Sequence, residues 1–164
     1  MSPRACARAL VLALGLLAAC SFGDRDRRAI EAVLRDQAAA WNRGDLDGFL
    51  RAYEPSDDLV FTSAGAIRRG FAATRDRYRE RYAARDTGTM GRLAFELLEI
   101  RALGKTGALV LGRWSLRGSP ADGEGVFTLA LVRGRTGWRI IHDHTSLAPP
   151  RAENHGGGGD GSRL

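Results

Sequence analysis

Near the end of the chain, three chemically active residues stand side by side: His142-Asp143-His144. They lie in the stretch Trp138–Ser146, whose alternation reads as a strand, so its side chains divide between two faces. One face takes Arg139, Ile141, Asp143 and Thr145; the other takes Trp138, Ile140, His142 and His144. A carboxylate such as Asp143 becomes a general base when an apolar surrounding raises its pKa. Next to an arginine on a neighbouring strand, and Arg113 is the candidate, the same group is a buried ion pair and a poorer base. His142 and His144 have a spacing that can seat zinc or iron. No Glu follows at short range and no second motif completes a ligand set, so no metal and no other cofactor is expected. The pair is expected instead to hydrogen-bond across a dimer face or to a neighbouring strand.

Trp41, Tyr53, Tyr78 and Tyr82 offer ring faces and hydroxyls that could bind or protonate a small molecule. Aromatics at helical spacing also serve as plain core, and Tyr53 is the strongest pocket candidate among them. Nucleophilic catalysis finds no support, because no Ser sits in a nucleophile-elbow pattern and both cysteines, Cys6 and Cys20, fall at the extreme N-terminus.

These residues need elements to position them. Ile30, Val33, Leu34, Gln37, Ala38 and Trp41 recur at helical spacing, with Asp24 or Asp26 to cap the start and Gly44 at the end. Asp45 caps a short second helix carrying Leu46, Phe49, Leu50 and Tyr53, stopped by Pro55. Asp58–Ser63 is strand-like, Ala64-Gly65 is a turn, and Phe71, Thr74, Tyr78 and Tyr82 mark a third helix. From Leu93 the period becomes two, with strands expected at 93–103, 108–117, 125–133 and 138–146, separated by glycine-rich turns. Helices first and hairpins afterwards is an α+β order; a doubly wound nucleotide fold is excluded because there is no βαβ alternation and no Gly-rich phosphate loop.

The two ends stand apart from this domain. Arg4 and Arg8 precede an apolar run from Ala9 to Ala19, too short to span a bilayer as a helix but suited to a signal peptide. It closes on Leu17-Ala18-Ala19-Cys20, which resembles the lipobox of bacterial lipoproteins and implies that Cys20 is lipidated. Ser21 follows instead of the Asp that retains lipoproteins at the inner membrane, so outer-membrane sorting, facing the periplasm, is expected in a two-membrane cell. The expected organisation is a leader over 1–19, a lipidated Cys and tether over 20–27, a folded domain over 28–148 and a Gly-rich tail over 149–164.

This division changes the meaning of the charge. The 164 residues carry 25 Lys+Arg against 19 Asp+Glu, a net +6, which alone would suggest a nucleic-acid partner. Two arginines leave with the leader, reducing the balance to +4. All but Lys105 of the basic residues are Arg, which points to GC-rich coding. Arg68, Arg69, Arg75, Arg77, Arg79, Arg81 and Arg85 surround the third helix, as a solvated face or as a surface for anionic headgroups. Nucleic acid is not expected for an exported protein.

Trp41-Asn42-Arg43-Gly44-Asp45-Leu46-Asp47, with Tyr53 beyond it, resembles the helical opening of nuclear transport factor 2-like domains. Gly137-Trp138-Arg139-Ile140-Ile141-His142-Asp143-His144-Thr145-Ser146 is similar to the last strand of SnoaL-like and SgcJ/EcaC-type members and of the calcium/calmodulin-dependent kinase II association domain. Met90–Phe95, Gly112-Arg113-Trp114 and Gly125–Leu129 resemble internal strands of the same group. The likeness spans about residues 28–147. It implies a cone, a strongly curved antiparallel sheet wrapped around the helices with a pocket at its open end, cystatin-like in class.

Carried over residue by residue, the resemblance turns Asp143 and Thr145 into the pocket and both histidines outward. The same parity puts Leu109, Leu111, Arg113 and Ser115 inside, together with Phe127, Leu129 and Leu131, and makes Ile141 lining; Trp41, from the first helix, is expected at the pocket mouth. It leaves Val110, Trp114, Val126, Val132, Trp138 and Ile140 on an apolar convex face, from which a sheet-to-sheet homodimer follows. Three functions stay open for such a domain. One is an envelope lipoprotein binding a small apolar or amphipathic molecule. The second is an isomerase, dehydratase or cyclase using Asp143 as base, with Tyr53 or Arg113 polarising a carbonyl. The third is a dimerisation scaffold. An Asp143 isolated from Arg113 in a deep pocket favours the enzyme, a paired Asp143 favours binding, and a filled cone favours the scaffold.

Overall fold

A computed structural model describes residues 22–82 and 90–149. The leader, Cys20, Arg85, His155 and nearly all of the Gly-rich tail lie outside the described residues. The described elements are α1 (Asp24–Asn42), α2 (Leu46–Leu50), β1 (Val60–Ser63), β2 (Ala66–Arg69), α3 (Phe71–Tyr82), β3 (Arg92–Leu103), β4 (Gly107–Arg117), β5 (Gly123–Gly134) and β6 (Gly137–Leu147).

Local chemistry sets the helix boundaries. Asp26, on the first turn of α1, accepts from the Gly23 N–H at 3.2 Å. Gly44 ends that helix with a φ of 77°, a conformation without steric cost only for glycine. Asp45 then accepts from the Gly48 N–H at 2.7 Å and starts α2.

The six strands form one curved sheet in the order β2-β1-β6-β5-β4-β3. All neighbours are antiparallel except β1 and β6, which run parallel. The short β2 is not legible in the strand periodicity, because its Ala66-Ile67-Arg68-Arg69 has no alternating apolar face. The α+β class and the curved sheet packed on N-terminal helices are as expected.

The core lies between the concave face and the helices. Ile30, Leu34, Val110, Leu131 and Ile140 are almost wholly buried there. Trp138 belongs to this core: it is 3% exposed, and its indole N–H donates to Asp26 at 3.3 Å. Arg133 completes that contact with a 2.6 Å ion pair to the same carboxylate. The expected convex position of Trp138, Ile140 and Val110 is therefore corrected.

The reason lies in the register. The β4–β5 hairpin pairs Leu116 with Gly123 and Gly112 with Phe127, so even-numbered residues of β4 share a face with odd-numbered residues of β5. In β6 a bulge falls where Ala130 pairs with His142 but Leu131 pairs with Ile140. Ile141 is the extra residue, and a bulge breaks the two-residue alternation. Ile140 and Asp143 thus both face inward, which strict alternation forbids.

Candidate functional site

Asp143 sits on the inner face of β6 and is 5% exposed. Tyr53 reaches it from the segment that follows α2. That segment is fastened to β6 by two backbone hydrogen bonds, Glu54 N–H to Ile140 O and Ile140 N–H to Ala52 O, each 2.9 Å. The fastening places the Tyr53 hydroxyl 2.8 Å from Asp143 Oδ2, to which it donates. Thr145, two residues along the same face of β6, donates to Asp143 Oδ1 at 2.8 Å. Beyond the bulge, β1 pairs in parallel with β6 and sets Phe61 beside Asp143.

These surroundings decide the ionisation. Burial raises the Asp143 carboxyl to about 6, against the hydrogen bonds from Thr145 and Tyr53 and the nearby His144, all of which lower it. Burial and the Asp143 charge drive the Tyr53 hydroxyl well above the ordinary tyrosine range. Burial, then the same charge, does likewise to Tyr78. At neutral pH the site therefore holds one ionised carboxylate among protonated phenols.

Asp143 opens onto a cavity of about 280 Å³. Its walls include Tyr53, Phe61, Phe95, Trp114 and Thr145 together with Trp41, Tyr78 and Tyr82, which form a chain of edge-on and stacked rings. Trp41 is largely core: it is buried and donates its indole N–H to the Met90 carbonyl at 3.2 Å.

Several expected positions change. Arg113 does not meet Asp143; it is exposed on the outer face, 3.2 Å from Glu96 on β3. Leu111 and Ile141 are also on the outer face, 37% and 38% exposed. Leu129 faces inward but lies in the core and does not line the cavity. Trp114, expected outside, lines the cavity and donates to the Ser146 carbonyl at 3.2 Å. His142 and His144 are exposed on the outer face. Among the described residues no three His, Cys, Asp or Glu converge as a metal-ligand group. Phe61 and the arginines of the cavity wall, Arg68, Arg77 and Arg81, join the lining without having been expected there; the one sequence signal for them is the Arg cluster around α3.

A curved sheet closed over helices, with one buried carboxylate at the end of a cavity, defines a nuclear transport factor 2-like domain. The sequence matches the SnoaL-like domain over residues 30–150, and the chain belongs to that family. It is similar to an NTF-2-like protein of unknown function from Shewanella oneidensis MR-1 at 36% identity, with a TM-score of 0.69, covering 73% of this chain and 98% of the other. A domain of unknown function with a cystatin-like fold from Nostoc punctiforme is 22% identical, with a TM-score of 0.64, covering 78% and 80% of the two chains. A ketosteroid isomerase-like protein from Erwinia carotovora atroseptica is 20% identical, with a TM-score of 0.57, covering 79% and 100%. Among curated proteins no relative matches the sequence.

Proposed function

We propose that this domain is a proton-transfer enzyme of the isomerase, dehydratase or cyclase type, with Asp143 as general base. The observation that carries the reading is a buried carboxylate facing a cavity with no cation paired to it among the described residues. Burial brings its pKa to about 6, close enough to neutral for the group both to take a proton and to return it. In such a step Asp143 takes a proton from a carbon next to a carbonyl. The C–H electron pair becomes a C=C bond as the carbonyl π pair moves onto oxygen. When a second double bond is conjugated to it, the oxygen pair returns to re-form the carbonyl and the protonated Asp143 delivers its proton to the far carbon. Tyr53 and Thr145 hold the carboxylate in place, and Tyr78 is a neutral donor on the same wall. The ketosteroid isomerase-like neighbour supports the reading as a likeness of fold.

The second reading is a binding site without turnover, favoured by the two hydrogen bonds that Asp143 already accepts. The open cavity argues against a filled scaffold. Nitrobenzisoxazole, which opens when a base removes its ring proton, separates the two. The proton-transfer reading expects turnover that rises with pH through about 6 and falls by at least about 10²-fold in Asp143→Asn. Equal rates in both proteins leave the binding reading.

We also propose that the chain is an envelope lipoprotein anchored through Cys20 and that its outer sheet face forms a homodimer. The lipobox-like Leu17-Ala18-Ala19-Cys20 supports the first. The exposed Leu98, Leu111, Val126 and Ile141 support the second. Incorporation of labelled palmitate that is lost in Cys20→Ser tests the anchor.

A further inference from the structure

Three guanidinium groups stand at the solvent side of the cavity: Arg68 from β2, and Arg77 and Arg81 one turn apart on α3. The other two arginines of α3 are held by carboxylates and do not line the cavity. Arg75 pairs with Asp76 at 2.8 Å and Arg79 with Asp47 at 3.0 Å. Of the three that do line it, Arg77 pairs with the exposed Glu80 at 3.2 Å. Arg68 and Arg81 have no carboxylate partner among the described residues, and Arg81 lies over the Tyr82 ring, 5.6 Å from its centroid. A coding bias toward Arg accounts for how many there are; it does not account for Arg68, Arg77 and Arg81 collecting at this rim.

Asp143 is the only carboxylate lining the cavity among the described residues, and it lies deep. The cavity is therefore polarised, with positive charge at the rim, aromatic rings between, and one negative group at the inner end. Guanidinium groups present paired donors that match a carboxylate or phosphate.

We propose that the reactant of this site is a small anionic molecule whose carboxylate or phosphate head sits on Arg68 and Arg81 while its apolar body reaches between the rings toward Asp143. This rests on the reading of the cavity as the place where the reactant binds. The polarity also orients the reactant, since an anionic head placed inward would face Asp143.

The test compares naphthoate with its neutral isostere naphthamide, using quenching of tryptophan fluorescence in the full-length chain at low salt. Naphthoate is expected to bind at least about tenfold more tightly, with a preference that shrinks as salt rises. In the double variant Arg68→Gln/Arg81→Gln the preference is lost while naphthamide binding stays, which shows that the cavity is intact. If that variant loses naphthamide as well, the single variants R68Q and R81Q are read, each expected to lose part of the preference. Equal affinity for the two probes overturns the proposal, as does a preference that survives in the variants. So does binding to acidic-lipid vesicles without any preference for naphthoate, which would make the rim a headgroup surface. Because no proton moves in this experiment, it is independent of nitrobenzisoxazole turnover. Asp143-dependent turnover without charge preference removes the anionic reactant alone; preference without turnover removes the base alone.

Discussion

The Tyr53 hydroxyl and Asp143 Oδ2 are 2.8 Å apart although 90 residues separate them in sequence. The backbone bridge between Tyr53 and Ile140 makes this contact a consequence of the fold. Asp143→Asn keeps an oxygen able to accept from Tyr53 but cannot take a proton. Turnover of nitrobenzisoxazole should fall by about 10²–10⁴-fold, with an unchanged circular dichroism spectrum.

The two donors to Asp143 both stabilise its ionised form. Removing either should move the midpoint of the pH–rate profile upward, and Thr145→Val should move it at least as far as Tyr53→Phe, because the Thr145 hydrogen bond is the first of the influences that hold the Asp143 carboxyl down. Tyr53→Phe should shift it in the same direction and also cost about 1 kcal/mol of stability for a lost hydrogen bond. Rate profiles of the two variants beside the parent decide this.

Asp143 also links pH to stability. The unfolded carboxyl releases its proton near pH 4, whereas the folded one holds it to about 6. Between those values the folded state carries the extra proton, so this group makes stability fall as pH rises. Above pH 6 the full penalty, about 3 kcal/mol, is present. The stability difference between Asp143→Asn and the parent should widen from pH 4 to pH 6 and then level off. Denaturant titrations across that range measure it, and other carboxylates cancel in the difference.

How far the sequence reaches depends on which residue is asked about. The three helices follow from apolar spacing and caps, and residue type with family likeness is enough to bring out Asp143, Thr145 and Tyr53. Arg113 is misplaced by the same reading because both faces of β4 are apolar: Leu109 and Leu111 on one side, Val110, Trp114 and Leu116 on the other. Hydrophobicity does not choose between such faces. The opposite charges of Glu96 and Arg113, directly paired across β3 and β4, are the available signal that this side meets water. Ile141 is misplaced because a bulge shifts phase without any mark in the residue types.

Gly112 lies on the inner face of β4 under the Phe127 ring. A methyl group there would stand 2.3 Å from Phe127 Cζ and 2.7 Å from the Glu96 carbonyl oxygen. Gly112→Ala should therefore cost about 1–3 kcal/mol, read by thermal unfolding. Unchanged stability would mean that the Phe127 ring moves freely.

On the opposite side of the sheet, Leu111 and Val126 are exposed apolar residues on adjacent strands. Val126→Glu should leave the fold intact and convert a dimer to a monomer in light scattering at micromolar concentration. A parent chain that is already monomeric removes the dimer.

The bulge at Ile141 has an evolutionary consequence. It divides β6 into a first half, with Trp138 and Ile140 committed to the core, and a second half, with Asp143 and Thr145 committed to the cavity. A joint of one residue lets the two halves drift separately. Substitutions at positions 143 and 145 change the groups that face the cavity, while Trp138 and Ile140 keep their packing in the core. Innovation and robustness are thus kept apart within a single strand of eleven residues.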